Sequence, residues 1–114
     1  MAFLVERSNN MDRIVQNKEF LESTSNADHE QCRHLIEIAT RDQMKALFEI
    51  ALNILNGNLV LLPEQFNELK KYKSVLRLMT SSEKSLRYKR LRILKATGLI
   101  RLLGAAISPI LKHI

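Results

Sequence analysis

Apolar residues recur along this chain at intervals of three and four, which is the spacing of an amphipathic helix. The first such stretch predicts a helix over Met11–Glu22, with Asn10 as its N-cap and a polar connector at 23–28. Asp28 predicts the start of a second helix, because an Asp side chain can accept hydrogen bonds from the first backbone N–H groups. The apolar side of this helix comprises Cys32, Leu35, Ile36 and Ala39.

A third helix is predicted from the pair Thr40 and Gln43, which has the spacing of a capping box. Its apolar residues cover more than one side, as expected for a central helix of a bundle. It should end near Leu55, because Gly57 can adopt the left-handed conformation that follows many helices.

Two further helices are predicted in the second half of the chain. Pro63 suits the first position of a fourth helix, which should run to about Met79. Thr80 and Glu83 have capping-box spacing and predict a fifth helix over Ser82–Ala96. The expected fold is all-α: a small bundle of four to five helices with an amphipathic C-terminal helix.

The final segment, 98–114, is predicted to form that amphipathic helix. Its stripe comprises Leu99, Leu102, Leu103, Ala106, Ile107, Ile110, Leu111 and Ile114. Pro109 removes one helical hydrogen bond and predicts a bend. The segment is shorter than the about 20 apolar residues of a membrane span, so on a membrane it would lie in the interface. Three roles for this helix stay open. It can pack in the core or mediate oligomerisation, or it can detach from a 1–97 domain and bind a membrane or a partner.

Charge is divided unevenly between the two halves of the chain. Residues 1–65 hold six basic and ten acidic side chains, which gives a net charge of −4. Residues 66–114 hold twelve basic and two acidic side chains, which gives a net charge of +10. The 1–97 domain therefore has an acidic part, 1–65, and a basic part, 66–97. Such a distribution indicates an anionic partner for the second half: nucleic acid, an anionic membrane surface or an acidic protein.

Ten basic side chains on the predicted fourth and fifth helices are the candidate nucleic-acid-binding residues. Lysine and arginine would neutralise phosphates and release counterions. The two helices have the outline of a helix-turn-helix, but the basic helix has no Asn or Gln to read adenine, so binding should be non-specific. A solvated basic surface is the alternative. The ten residues are Lys70, Lys71, Lys73, Arg77, Lys84, Arg87, Lys89, Arg90, Arg92 and Lys95.

No arrangement of residues predicts an enzyme, a cofactor or a metal site. The only cysteine, Cys32, is expected to be a small buried apolar residue, and a single cysteine indicates a reducing compartment. His29 and His34 are five residues apart, which is not the spacing of a helical metal-binding pair. No secretory signal and no spanning helix are expected.

Three motifs in the second half carry a resemblance to a known family. They are "NILNGN", then L-x-P-E-Q-F-x-x-L-K-K-Y-K, then "KSLRYKR". This pattern resembles small basic proteins of Polinton and adintovirus-like elements of animal genomes. The resemblance implies a virion-associated protein similar in role to the minor core or capsid proteins of adenoviruses. Such proteins often have a Gly-Gly pair before the tail, whereas this chain has single Gly98 and Gly104, so no cleavage site is carried over.

The sequence therefore predicts a non-enzymatic structural protein encoded by a virus or transposon. Its basic helices would contact nucleic acid or an acidic capsid surface, and its tail would bind a membrane or a partner. The alternative is a cellular DNA-binding or regulatory module whose last helix mediates homo-oligomerisation. The expected location is intracellular, in the host cytoplasm or nucleus, or in the virion.

Overall fold

The computed structural model describes residues 11–112, and within this range the chain forms eight α-helices and no strand. The all-α prediction is confirmed, whereas the predicted four or five helices are too few. Asn10 and Ile114 lie outside the described residues. The helices are α1 (11–16), α2 (Lys18–Asn26), α3 (His29–Ile38), α4 (Arg41–Leu55), α5 (Pro63–Lys70), α6 (Lys73–Thr80), α7 (Leu86–Leu94) and α8 (Thr97–Leu111).

The predicted first helix is divided into α1 and α2 at Asn17, where φ is −107° and ψ is 23°. The Asn17 side-chain amide donates to the Arg13 carbonyl and to the Asp42 carboxylate, both at 2.9 Å, so a contact with α4 stabilises the break. α2 then continues to Asn26 through residues predicted as a connector. The hydroxyls of residues 23–25 donate to carbonyls three or four residues earlier, which accommodates these polar residues in a helix.

α3 and α4 begin where the capping signals predict. Asp28 accepts from the Gln31 backbone N–H at 2.8 Å, and the Gln31 side chain accepts from the Asp28 N–H at 3.0 Å. Thr40 and Gln43 make the same reciprocal pair, at 3.1 and 2.9 Å. After α4, Gly57 has a φ of 71°, which is the left-handed conformation predicted for it.

The predicted fourth helix is also two helices, α5 and α6, with a turn at 71–72. α5 begins at Pro63 as predicted, and the Gln65 side chain accepts from the backbone N–H of the preceding Leu62 at 3.0 Å. Tyr72 interrupts the helix with φ of −108° and ψ of 18°. The interruption lets α6 change direction, and α6 then packs mainly against α4.

The predicted capping box at Thr80 and Glu83 does not form. The Thr80 hydroxyl donates to a carbonyl one turn earlier at 3.0 Å, and the Glu83 N–H donates to the Ser81 hydroxyl at 3.2 Å. α7 begins at Leu86 instead of Ser82, because Ser85 provides its N-cap.

One hydrophobic core contains buried residues from all eight helices, and α8 lies at its centre. Leu99, Ile100, Leu103 and Ile107 have no solvent exposure. α8 packs chiefly against α2, and also contacts α3, α4, α5 and α7. It continues past the exposed Pro109 to its end at Leu111.

Candidate polyanion-binding face

A solvent-facing surface of α7 and its flanking residues carries four cations with an aromatic and an aliphatic side chain among them. None of the four cations has an ion-pair partner within residues 11–112. Because no carboxylate pairs with them, their charge is available to a ligand, although Glu83 precedes Lys84 in the sequence and Lys84 Nζ lies 5.2 Å from the Tyr88 ring centroid. We call this surface the basic face; it comprises Lys84, Arg87, Tyr88, Leu91, Arg92 and Lys95, all exposed.

The orientation of α7 follows from its apolar anchors. Ile93 is fully buried and Leu86 packs against the core, so residues one turn from either anchor point inward. Lys89 and Arg90 are each three or four residues from both Leu86 and Ile93. α7 therefore directs two of its basic residues toward the protein and leaves the others at its surface.

Arg90 has a structural role at the C-terminal end of α3. Its Nη1 donates to the carbonyls of Ile36 and Ala39, both at 2.8 Å. These carbonyls lie where a helix leaves its last acceptors unpaired, and a cation there also interacts favourably with the helix dipole. Arg90 was predicted to bind nucleic acid, but its Nη1 group already donates to these carbonyls and its side chain is only partly exposed, so it is not part of the basic face.

Lys89 is the second predicted nucleic-acid-binding residue that lies inside. Its side chain is only 9% exposed, and Nζ lies 4.6 Å from the centroid of the Phe48 ring. No carboxylate lies within ion-pairing distance in residues 11–112. Burial lowers the pKa of the Lys89 ammonium group, because the charged form loses solvation.

Replacing Lys89 with methionine is expected to stabilise the protein by about 1 kcal/mol near neutral pH. Methionine retains most of the aliphatic packing and removes a partly desolvated charge that has no ion-pair partner, a gain that exceeds the lost cation–π contact. Urea unfolding would measure the difference. Lys95→Met is the matched control, because Lys95 is exposed, and it should change stability by less than about 0.5 kcal/mol.

The gain from Lys89→Met should depend on pH in a defined direction. The lowered folded-state pKa means that the unfolded chain binds the additional proton, so wild-type stability rises with pH from the folded pKa toward the ordinary lysine value of about 10.4. The advantage of Lys89→Met should shrink across that range. An advantage that grows there would contradict the assigned direction.

The four predicted binding residues on α5, its C-cap and α6 are all exposed: Lys70, Lys71, Lys73 and Arg77. Lys71 forms an ion pair with Glu68 at 3.1 Å, and Lys70 Nζ lies 4.8 Å from the Phe66 ring centroid. Lys73 and Arg77 have no ion-pair partner in the described residues. The ten predicted residues are therefore distributed over two helical segments, with Lys89 and Arg90 turned inward.

Of the tail residues predicted to bind a membrane or a partner, those within residues 11–112 belong to the core. Leu99, Leu103, Ala106, Ile107 and Leu111 are buried, and Leu102 and Ile110 are partly buried. Within residues 11–112, no single helix has the length and apolarity of a membrane span. α7 and α8 meet that criterion only as a pair, and they are bent by 98° at their junction.

An ion-pair cluster between α1 and α4 was not predicted from the sequence. Arg13 contacts Glu49 at 2.7 Å and Asp42 at 3.2 Å. Burial raises the pKa of Glu49, and the nearby Arg13 opposes this shift. The partners are distant in sequence, so no local spacing could indicate the cluster. Its contacts join two helices, which is a structural role.

Cys32 and His29, within residues 11–112, each contact the start of α8. Cys32 is fully buried, as expected, and burial raises the pKa of its thiol. His29 Nδ1 lies 2.6 Å from the Thr97 hydroxyl, a contact between α3 and α8. Across residues 11–112, no three His, Cys, Asp or Glu side chains are placed to hold a metal ion.

No known family model, curated protein or solved structure matches this chain.

Proposed function

We propose that this protein is a non-enzymatic module that binds the phosphate backbone of nucleic acid through the basic face of α7. The observation that supports this most is the set of four exposed cations without ion-pair partners on α7 and its flanking residues. Phosphate contacts made by such side chains release condensed counterions, which supplies most of the affinity of non-specific binding.

The composition of the basic face favours backbone contacts over base reading. It has no Asn or Gln side chain that could pair with adenine, and its cations extend along the segment from Lys84 to Lys95. Tyr88 is 41% exposed and can stack on a base in a sequence-tolerant way. The proposed ligand is therefore any duplex or single strand with an accessible backbone.

A helix-turn-helix module is the second candidate function. α6 and α7 are neighbouring helices joined by residues 81–85, and α7 would be the recognition helix. This candidate requires Arg87 to contact guanine, since arginine pairs with its O6 and N7 atoms. It predicts a preference for one sequence over scrambled duplexes, which the backbone-binding proposal does not.

The resemblance to small proteins of Polinton and adintovirus-like elements supports a broader proposal. In that setting, the protein would be a structural component that lies between packaged DNA and an acidic capsid surface. The same basic face would serve either partner, because both present closely spaced negative charges.

Binding to a short duplex DNA should weaken steeply with salt. Four phosphate contacts predict a slope of log K against log[salt] of about −3.6 between about 50 and 200 mM salt. Arg87→Gln/Arg92→Gln should reduce the slope to about −1.8. Fluorescence anisotropy with labelled DNA would measure both slopes.

A matched variant separates the basic face from net charge. Lys18→Gln/Lys112→Gln also removes two positive charges, but from α2 and from the residue after α8. Its slope should stay near that of the wild type. Equal losses in both double variants would show that only net charge matters, and a wild-type slope near zero would exclude phosphate contacts.

A further inference from the structure

Five of the eight large apolar side chains that are exposed within residues 11–112 lie between positions 52 and 66, from the C-terminal end of α4 to α5. Val60 is 98% exposed, Leu62 is 61% exposed and Phe66 is 52% exposed, and Leu52 and Leu55 are also exposed. Single exposed apolar residues are ordinary, but a cluster of this kind is typical of an interaction surface. The basic face does not include these residues.

A groove lies beside these exposed residues, between the end of α4, the segment 59–62 and the pair α5–α6. Its cavity volume is about 290 Å³, near the lower limit of ligand pockets, which suits a few inserted side chains better than a whole cofactor. Six apolar residues line it: Ile54, Leu55, Leu61, Phe66, Leu69 and Leu76.

The polar lining of the groove is entirely cationic. Lys70 and Lys73 are its two charged residues, and neither forms an ion pair within residues 11–112. They are three residues apart in sequence. An occupant that satisfies this lining needs apolar side chains for the cavity and carboxylates for the two lysines.

We propose that this groove binds an acidic amphipathic helix of another protein. Helices that dock in grooves insert apolar residues at three- and four-residue spacing, and acidic residues beside that stripe would reach Lys70 and Lys73. A second copy docked through the same face would oppose like charges across the interface, which disfavours it.

The geometry also distinguishes this occupant from a lipid surface. A bilayer would take up the most protruding apolar side chains, Val60 and Leu62, which do not line the groove. A docked helix would depend on the concave residues and on the two lysines. Substitutions at Val60 and Leu62 should therefore weaken binding to a bilayer but not to a helix. Substitutions of the concave residues and the two lysines should weaken binding to a helix but not to a bilayer.

The probe for this proposal is a labelled synthetic helical peptide with Leu and Phe on one face and Glu along both edges of that face. It should bind the full chain, and Phe66→Ser and Lys70→Glu/Lys73→Glu should each weaken binding at least about tenfold, since each removes a groove contact. Val60→Ser/Leu62→Ser should leave peptide affinity unchanged. The same peptide with Lys in place of Glu should not bind.

Several results would overturn the proposal. The first two are the absence of peptide binding and an equal affinity of all variants for the peptide. The third is self-association of the wild type that Phe66→Ser abolishes. The fourth is binding to phosphatidylserine vesicles, without binding to the peptide, that Val60→Ser/Leu62→Ser abolishes. Thermal melting would verify that each variant is folded. Phe66→Ser should retain the salt slope of DNA binding, so a failure here is distinct from a failure of the basic face.

Discussion

A chain that ends at Thr97 is expected to lose cooperative folding. The truncation removes Leu99, Ile100, Leu103 and Ile107, which are fully buried in the intact protein. Burial of each such side chain contributes about 2 kcal/mol, so their loss forfeits about 8 kcal/mol. A single domain has only about 5–15 kcal/mol of net stability, and the residues of the other helices that pack on α8 would also become exposed, so the remaining helices are not expected to form a folded core.

Circular dichroism during heating would test this expectation, because a folded domain shows a sigmoidal transition and an unfolded chain does not. A matched pair of substitutions provides the control. Leu103→Ala should cost about 2–5 kcal/mol, whereas Leu91→Ala, at a residue 54% exposed, should cost less than about 0.5 kcal/mol. A cooperative transition in the truncated chain would instead show that residues 98–114 can detach from a stable 1–97 domain.

The features predicted correctly from the sequence are those determined by local chemistry. Asp28 and the pair Thr40 and Gln43 cap their helices as predicted, because the capping atoms and their partners lie within three residues of each other. Pro63 and Gly57 likewise act through their own backbone restrictions. These signals place the start of α3 and both ends of α4.

The predictions that fail are those in which another hydrogen-bond partner competes. Asn17 divides the first predicted helix because its side chain reaches Asp42, which is distant in sequence. Thr80 and Glu83 have the spacing of a capping box, but Ser81 and Ser85 offer nearer hydroxyl acceptors, and Ser85 becomes the cap. A motif alone does not indicate which of several neighbouring serines and threonines the backbone will use.

The candidate site was predictable in part. Charge counting identifies the basic segment but does not distinguish its inward residues from its outward ones. The hydrophobic periodicity of α7 could not supply that information, because Lys89 is buried and Leu91 is exposed. The only local indication was that Lys89 is one turn from both Leu86 and Ile93. The apolar groove was not predictable, because its walls come from α4, the 59–62 segment, α5 and α6, and their arrangement depends on the turn at Tyr72.

Gly104→Ala is expected to destabilise the protein by about 2 kcal/mol. A methyl group at this position would lie 2.8 Å from Ser25 Cβ and 2.9 Å from the backbone carbonyl oxygen of Leu21. Both atoms belong to α2, so the two most closely packed helices would have to separate. Such overpacking costs about 3 kcal/mol, and the better helix propensity of alanine recovers about 1 kcal/mol.

Gly98→Ala is the control, because both glycines lie in α8, although Gly98 is in its first turn and gains less helix propensity than the interior Gly104. A methyl group at Gly98 would lie 2.6 Å from the Tyr72 hydroxyl oxygen and 3.6 Å from Tyr72 Cζ, so one side-chain end would have to shift, whereas no backbone atom would. Thermal unfolding should therefore show a fall of about 8 °C for Gly104→Ala and little change for Gly98→Ala. If Gly104→Ala were as stable as the wild type, α8 and α2 could not approach as closely as the fold requires, and the position of α8 at the centre of the core would be wrong.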